Sequence, residues 1–62
     1  MNKITIGSTM IINRNIQTEN GMLYSGSKVE IEDVKSEKNV RIQDEMGRIF
    51  YVHVKDLRKY EI

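Results

Sequence analysis

The chain has 62 residues, of which 39% are hydrophobic and 31% charged, as expected for one small domain spanning residues 1–62. A chain of this length buries only about 60% of the surface that its unfolded form exposes, so its core is thin. It contains no cysteine and a single histidine, which excludes a disulfide framework and a closed zinc site. Because so short a chain rarely encloses several catalytic groups in one pocket, we expect no enzymatic activity and no cofactor.

The balance of charges limits the kinds of partner that we expect the chain to bind. Ten Lys and Arg residues stand against nine Asp and Glu residues, a formal net charge of +1. Small nucleic-acid-binding domains usually carry a larger basic excess, because phosphate contacts supply most of their affinity. No segment approaches the roughly 18 apolar residues of a membrane span, and the first residues lack the apolar stretch of a signal peptide. We therefore expect a cytoplasmic protein that does not engage membranes.

The first third of the chain predicts short, irregular elements. Residues 3–6 and 9–12 are each apolar enough for a short strand. Residues 13–21 are polar apart from Ile16 and predict a long loop, after which residues 22–24 return to the core.

The middle of the chain alternates between apolar and charged residues, which predicts strands. Residues 28–32 and 39–43 show this alternation, and residues 33–38 between them predict a hairpin loop that opens with a bulge at its first two residues. Residues 44–47 predict a tight turn in which Gly47 supplies the positive φ. Fourteen of the apolar residues of the chain are Ile or Val, and alanine is absent, so we expect an all-β protein.

The third predicted strand, residues 48–54, is apolar on both faces. Residues 55–62 predict one helical turn and a last short strand, with Leu57, Tyr60 and Ile62 buried. The predicted core consists of the inward-facing residues Val29, Ile31, Val40, Ile42, Phe50, Val52 and Leu57.

The order of these elements, and the residues within them, resemble SH3-like barrels. Residues 23–31, LYSGSKVEI, are similar to the stretch that leaves the long first loop of these domains, and residues 40–52, VRIQDEMGRIFYV, to their central hairpin. Residues 54–57, VKDL, match the single 3₁₀ turn before the last strand. The resemblance implies a small five-stranded SH3-like barrel of the bacterial or prophage type. Abundant Ile, Asn and Lys without Ala or Pro are likewise typical of an AT-rich bacterial or phage genome.

The ligand chemistry of the eukaryotic SH3 domains is not expected here. Those domains bind proline-rich helices in a groove lined by aromatic residues. This sequence has His53 where their groove proline usually lies and Asp56 where their last groove tyrosine lies, and it contains no tryptophan. Only Tyr24 lies near an expected aromatic position. We predict that the domain does not bind PxxP peptides.

A second resemblance is to the carbon-storage-regulator proteins, which are RNA-binding intertwined β dimers of this length. It rests on residues 26–31, 40–42 and 52–57. The members of that family read RNA with two arginines on the first strand and one after a valine-histidine pair. Here Arg14 matches one of these, whereas Val54 occupies the last position. An RNA-binding regulator is therefore the alternative function.

Two surfaces follow from these hypotheses. A protein-binding patch would contain Tyr24, Ile49, Tyr51 and His53, since tyrosine brings a large contact area and a polar tip. A nucleic-acid-binding strip would contain Arg41, Arg48, Lys55, Arg58 and Lys59, with Arg41 and Arg48 on one face and Tyr51 stacking on a base. The ordinary alternatives are that the patch closes one end of the barrel and that the strip is a solvated surface of mixed charge.

The oligomeric state is left open by the sequence. A monomer that binds an unknown protein is the favoured interpretation. A homodimer would arise through the N-terminal strand as an exposed edge, or through pairing of residues 1–21 between two chains.

Overall fold

A computed structural model describes residues 4–60. Over these residues the chain forms seven β-strands, one 3₁₀ turn and no α-helix, which confirms the all-β prediction. In chain order the strands are β1 (Thr9–Ile12), β2 (Ile16–Thr18), β3 (Gly21–Leu23), β4 (Lys28–Val34), β5 (Asn39–Asp44), β6 (Ile49–His53) and β7 (Leu57–Lys59). The 3₁₀ turn, Val54–Asp56, precedes the last strand as predicted.

Five of the strands form one antiparallel sheet in the order β6-β5-β4-β1-β7, and β2 and β3 form a separate hairpin. In this sheet β1 lies between β4 and β7: Met10 pairs with Val29 on one side and with Lys59 on the other. The expectation that the N-terminal strand is the exposed edge is therefore wrong. Within residues 4–60 the edges of the sheet are β6 and β7.

The first third of the chain differs most from the prediction. Residues 4–6 form no strand, and Lys3 lies outside the described residues. The predicted loop, residues 13–21, contains β2 and the first residue of β3, and Ile16 of β2 pairs with Leu23 of β3. The Thr18 hydroxyl closes this hairpin, because it accepts a hydrogen bond from the N–H of Asn20 and donates one to the carbonyl of Gly21.

The hairpin of β4 and β5 is longer than the alternation predicts. Its register shifts between Ile31 and Asp33, so the bulge lies at Glu32, before the predicted position. The extra residue lets the strand continue, and Val34 then pairs with Val40. The strand β6 is shorter than predicted at both ends, since the residue before Ile49 belongs to the turn and the residue after His53 begins the 3₁₀ turn.

The core lies on the inner face of the five-stranded sheet. All seven residues of the predicted core are buried, and the cluster also includes Met10, Ile12 and Leu23. Tyr60 is 39% exposed, so the prediction that it is buried is wrong. Its ring lies under the ammonium group of Lys28, at 4.8 Å from the ring centre. Ile62 lies outside the described residues.

Candidate interaction surface

The outward-facing residues of β6 are Ile49, Tyr51 and His53, which we call the β6 face. They alternate with the buried residues Phe50 and Val52. Tyr51 is 61% exposed, and the other two residues of the face are half-buried. On β5 the β6 face is flanked by its pairing partners Gln43, Arg41 and Asn39. The exposed Tyr51 ring thus lies beside polar side chains of β5, and β6 itself contains no carboxylate.

Tyr24 does not join the β6 face, although its side chain is equally exposed at 61%. Its carbonyl accepts the N–H of Ser27, just before β4 begins. Tyr51 pairs with Arg41, which in turn pairs with Asp33 near the end of β4. Tyr24 thus lies in the loop between β3 and β4, outside β6. The structure therefore brings together three of the four predicted residues.

The backbone of β6 bonds to β5 through alternate residues only. Just before β6, the carbonyl of Arg48 accepts the N–H of Asp44, and just after β6 the N–H of Val54 donates to the carbonyl of Lys38. Because hydrogen-bonded pairs alternate along an antiparallel ladder, the even-numbered residues of β6 also bond to β5. The N–H and C=O groups of the β6 face consequently point away from the sheet. In the described part of the chain one hydrogen bond reaches this edge, from Asn20 Nδ2 to the carbonyl of Ile49 at 3.1 Å.

His53 has a structural role at the end of β6. Its Nδ1 accepts the backbone N–H of Lys55 at 3.1 Å, so the imidazole caps the 3₁₀ turn. The residue is half-buried at the end of its strand. Its partner is a backbone group of its own turn, so this contact orients the ring without activating a nucleophile.

A charged ridge borders the β6 face along the row of Asp33, Arg41 and Tyr51. Lys35 Nζ lies 3.2 Å from Asp33 Oδ2, and this hydrogen bond holds the pKa of the Asp33 carboxyl below its ordinary value. The charge of Arg41 acts in the same direction. Arg41 Nε is covered and has no hydrogen-bond partner within residues 4–60. The ridge therefore carries both signs of charge.

Arg48 lies on the opposite face from Arg41, which corrects the prediction that the two share a face. Its guanidinium carbon lies 5.2 Å from the centre of the Phe50 ring, and its Nε lies 2.8 Å from Asp44 Oδ2. Burial disfavours the charged form of Asp44. The backbone N–H and side chain of Arg48 and the N–H of Met46 outweigh this effect, so the pKa of Asp44 is lowered. Arg48 thus closes the turn instead of extending a basic strip.

The other three predicted basic residues, Lys55, Arg58 and Lys59, lie at the 3₁₀ turn and on the edge strand β7. Lys28 joins them, because Lys28 and Arg58 both pair with Ile11 from opposite sides. We call these four residues the β7 cluster. The sequence alone does not predict that Lys28 lies near the other three residues, because only strand pairing brings β4 and β7 to the two sides of β1.

Arg14, which matches an RNA-reading position of the second resemblance, is held by a carboxylate. Its Nε lies 2.6 Å from Oδ1 of Asp56, whose residue is only 5% exposed. The side-chain amide of Asn13 donates to the carbonyls of Lys55 at 3.0 Å and Leu57 at 3.4 Å. The end of β1 is thereby fastened to the 3₁₀ turn. No local pattern signals this contact, because the ion pair joins residues 42 positions apart.

A groove of about 720 Å³ runs beside the β7 cluster. Its apolar lining includes Ile4, Met10 and Leu57, and Glu37 is the carboxylate among the described residues that line it. No histidine or cysteine lines it in that part of the chain.

Comparison of the chain with protein-family models, with curated proteins and with solved structures found no match. Within residues 4–60 no helix is long and apolar enough to cross a membrane. Over the same residues no group of three or more His, Asp or Glu side chains is arranged to hold a metal ion.

Proposed function

We propose that the chain is a non-enzymatic protein-interaction module with an SH3-like architecture. The order of elements supports this architecture: a strand, a long connection, two hairpins, a 3₁₀ turn and a last strand. One core cluster joins residues of the five-stranded sheet with Leu23 of the β2–β3 hairpin. A cytoplasmic location and a phage or prophage source stay predictions from the sequence.

The observation that carries the proposal is the β6 face. Tyr51 exposes most of its ring on an edge strand that contains no charged residue from Ile49 to His53. Tyrosine is favoured in protein interfaces, because its ring buries a large area at a small entropic cost while its hydroxyl stays hydrogen-bonded. The half-buried neighbours on both sides provide a continuous contact area around it. We infer that a partner protein covers this face.

The test compares two tyrosines of equal exposure. Tyr51→Ala removes the centre of the β6 face, and Tyr24→Ala removes a ring outside β6 that is exposed to the same 61%. Each variant is immobilised and used to retain proteins from a lysate of the source cells. We expect Tyr51→Ala to lose a protein that the wild type and Tyr24→Ala retain, while both variants melt close to the wild type. Equal retention by all three proteins would contradict the proposal.

A second candidate function, nucleic-acid binding, is favoured by the β7 cluster. The ion pairs within residues 4–60 involve Arg14, Lys35 and Arg48, and none involves the cluster. Lys28 lies over the Tyr60 ring, and Arg58 and Lys59 line the same grooves as Tyr60, so these residues offer cations and an aromatic ring to a nucleic acid. The test is an amide-resolved NMR spectrum with mixed RNA and duplex DNA at low and moderate salt. Shifts at the β7 cluster that fade with salt would favour this function over protein binding.

A further inference from the structure

We propose that the edge of β6 pairs with β6 of a second copy of this chain, as an antiparallel strand across a two-fold axis. This inference rests on the proposed function and names a partner for the same surface. In the register that we infer, Tyr51 of each copy lies opposite His53 of the other, and the two Val52 residues meet at the axis. The sheets of the two copies then continue into each other.

The backbone geometry selects this register. The N–H and C=O groups of Tyr51 and His53 point away from β5, and each antiparallel pair of such residues exchanges two hydrogen bonds. A register centred on Tyr51 would instead place His53 of the second copy opposite Ile49, whose carbonyl already accepts Asn20 Nδ2. Centring the contact on Val52 leaves that hydrogen bond intact.

The two edge strands of the sheet differ in whether their side chains oppose pairing with another chain. Strand β7 carries Arg58 and Lys59, and charged residues on an edge strand oppose pairing with another chain. Strand β6 has an uncharged sequence, Ile49–His53, so two copies meet without opposing like charges. The proposed register also stacks the imidazole of each His53 beside a Tyr51 ring on the outer face.

A second copy is the occupant that this edge fits best, because the contact is self-complementary under a two-fold axis, the commonest symmetry of oligomers. The thin core of a 62-residue chain also gains stability from association. The contact is short, well under the roughly 1,200 Å² of a stable interface, so we expect a weak dimer that forms between micromolar and millimolar concentration.

The test measures hydrogen exchange of individual amides in the full chain over that concentration range. We expect exchange at Tyr51 and His53 to slow several-fold as concentration rises. Exchange at Phe50 and Val52, whose amides bond to β5, serves as the internal reference. Sedimentation velocity over the same range should show a rise in mean mass toward the dimer. Exchange rates at Tyr51 and His53 that stay constant over the whole range would overturn the inference.

Two substitutions of Tyr51 distinguish association through the backbone edge of β6 from association through the tyrosine ring. Tyr51→Pro removes an N–H that points away from β5, a position at which an edge strand tolerates proline, and it should abolish association. Tyr51→Thr keeps the N–H and the strand propensity, and it should leave association measurable. Loss of association in both variants would overturn strand pairing while leaving the proposed ring-centred interaction in place. If Tyr51→Pro fails to fold, the wild-type concentration series still decides the question.

Discussion

At the scale of single residues, the turn between β5 and β6 depends on one carboxylate. Asp44 Oδ1 accepts the backbone N–H groups of Met46 and Arg48, and Oδ2 accepts Nε of Arg48. The side chain of Asp44 is only 8% exposed, and each of these bonds is charge-assisted. Gly47 completes the turn with a φ of +85°, as the sequence predicts.

The first prediction concerns the pH dependence that follows from Asp44. Because its pKa in the folded protein lies below the ordinary value of 3.8, the carboxylate stabilises the fold fully above that value. This contribution is lost as the pH falls through the lowered pKa. Asp44→Asn should cost about 0.5–1 kcal/mol at pH 7, because water screens these exposed bonds, and the difference from the wild type should shrink below a pH of about 4.

Urea unfolding at a series of pH values provides this measurement. The matched control is Glu45→Gln, which removes the neighbouring charge from an exposed residue of the same turn. A difference between Asp44→Asn and the wild type that persists unchanged at the lowest pH would contradict the assigned role.

The second prediction concerns the capping imidazole. His53→Ala removes the acceptor of the Lys55 N–H and should cost about 0.5–2 kcal/mol, the usual range for a lost cap. His53→Asn offers another acceptor at the same place and should recover much of that stability. Thermal unfolding measures both variants, and an alanine variant as stable as the wild type would show that the cap contributes nothing.

At the scale of elements, the alternation of apolar and charged residues predicts the strands that follow it. Elements that depend on contacts between distant residues are not predicted from the sequence. The strands β4, β5 and β6 each alternate between core and solvent, so their existence and their buried residues could be read directly. The hairpin β2–β3 lacks such alternation and depends on the Thr18 hydroxyl and on packing of Ile16 against the core. Its bounds were therefore not predictable from periodicity.

Alternation along the strands also made part of the candidate site predictable. Alternation along β6 identified Ile49, Tyr51 and His53 as one face, and the structure agrees. Tyr24 lies outside β6, in the loop after β3, and no local signal in the sequence says where that loop lies relative to β6. The grouping of Arg41 with Arg48 failed, because Arg48 shares the face of Phe50 and bonds to Asp44.

The third prediction tests the strand assignment itself. Ile31 is fully buried at the centre of β4 opposite Ile42, so Ile31→Asp places a charge in the core without a partner. It should cost more than about 3 kcal/mol and unfold so small a domain. Circular dichroism during heating measures the effect. Glu30→Gln, one residue earlier on the exposed face of the strand, is the control and should melt like the wild type. A cooperative transition of Ile31→Asp near that of the wild type would contradict the assignment.

At the scale of the whole molecule, the two edges of the five-stranded sheet have different surfaces. Strand β7 and the neighbouring 3₁₀ turn carry Lys55, Arg58 and Lys59, whereas β6 carries an exposed tyrosine and no charge. A basic edge opposes strand pairing and attracts phosphates, while an uncharged edge accepts another polypeptide. The net charge of +1 is not the large basic excess that would favour nucleic acid, which supports our proposal that the main contact lies at β6.

The most direct test of this assignment is site-specific photo-crosslinking of the full chain in a lysate of the source cells. A benzophenone amino acid replaces Tyr51, Met46 or Arg58, one position at a time, and the crosslinked products are identified by mass spectrometry. Met46 is exposed at the far end of the β5–β6 hairpin and serves as the control position. We expect position 51 alone to give strong crosslinks, and these to be to polypeptide, including the chain itself. Crosslinks to nucleic acid at position 58, with none to polypeptide at position 51, would contradict the account.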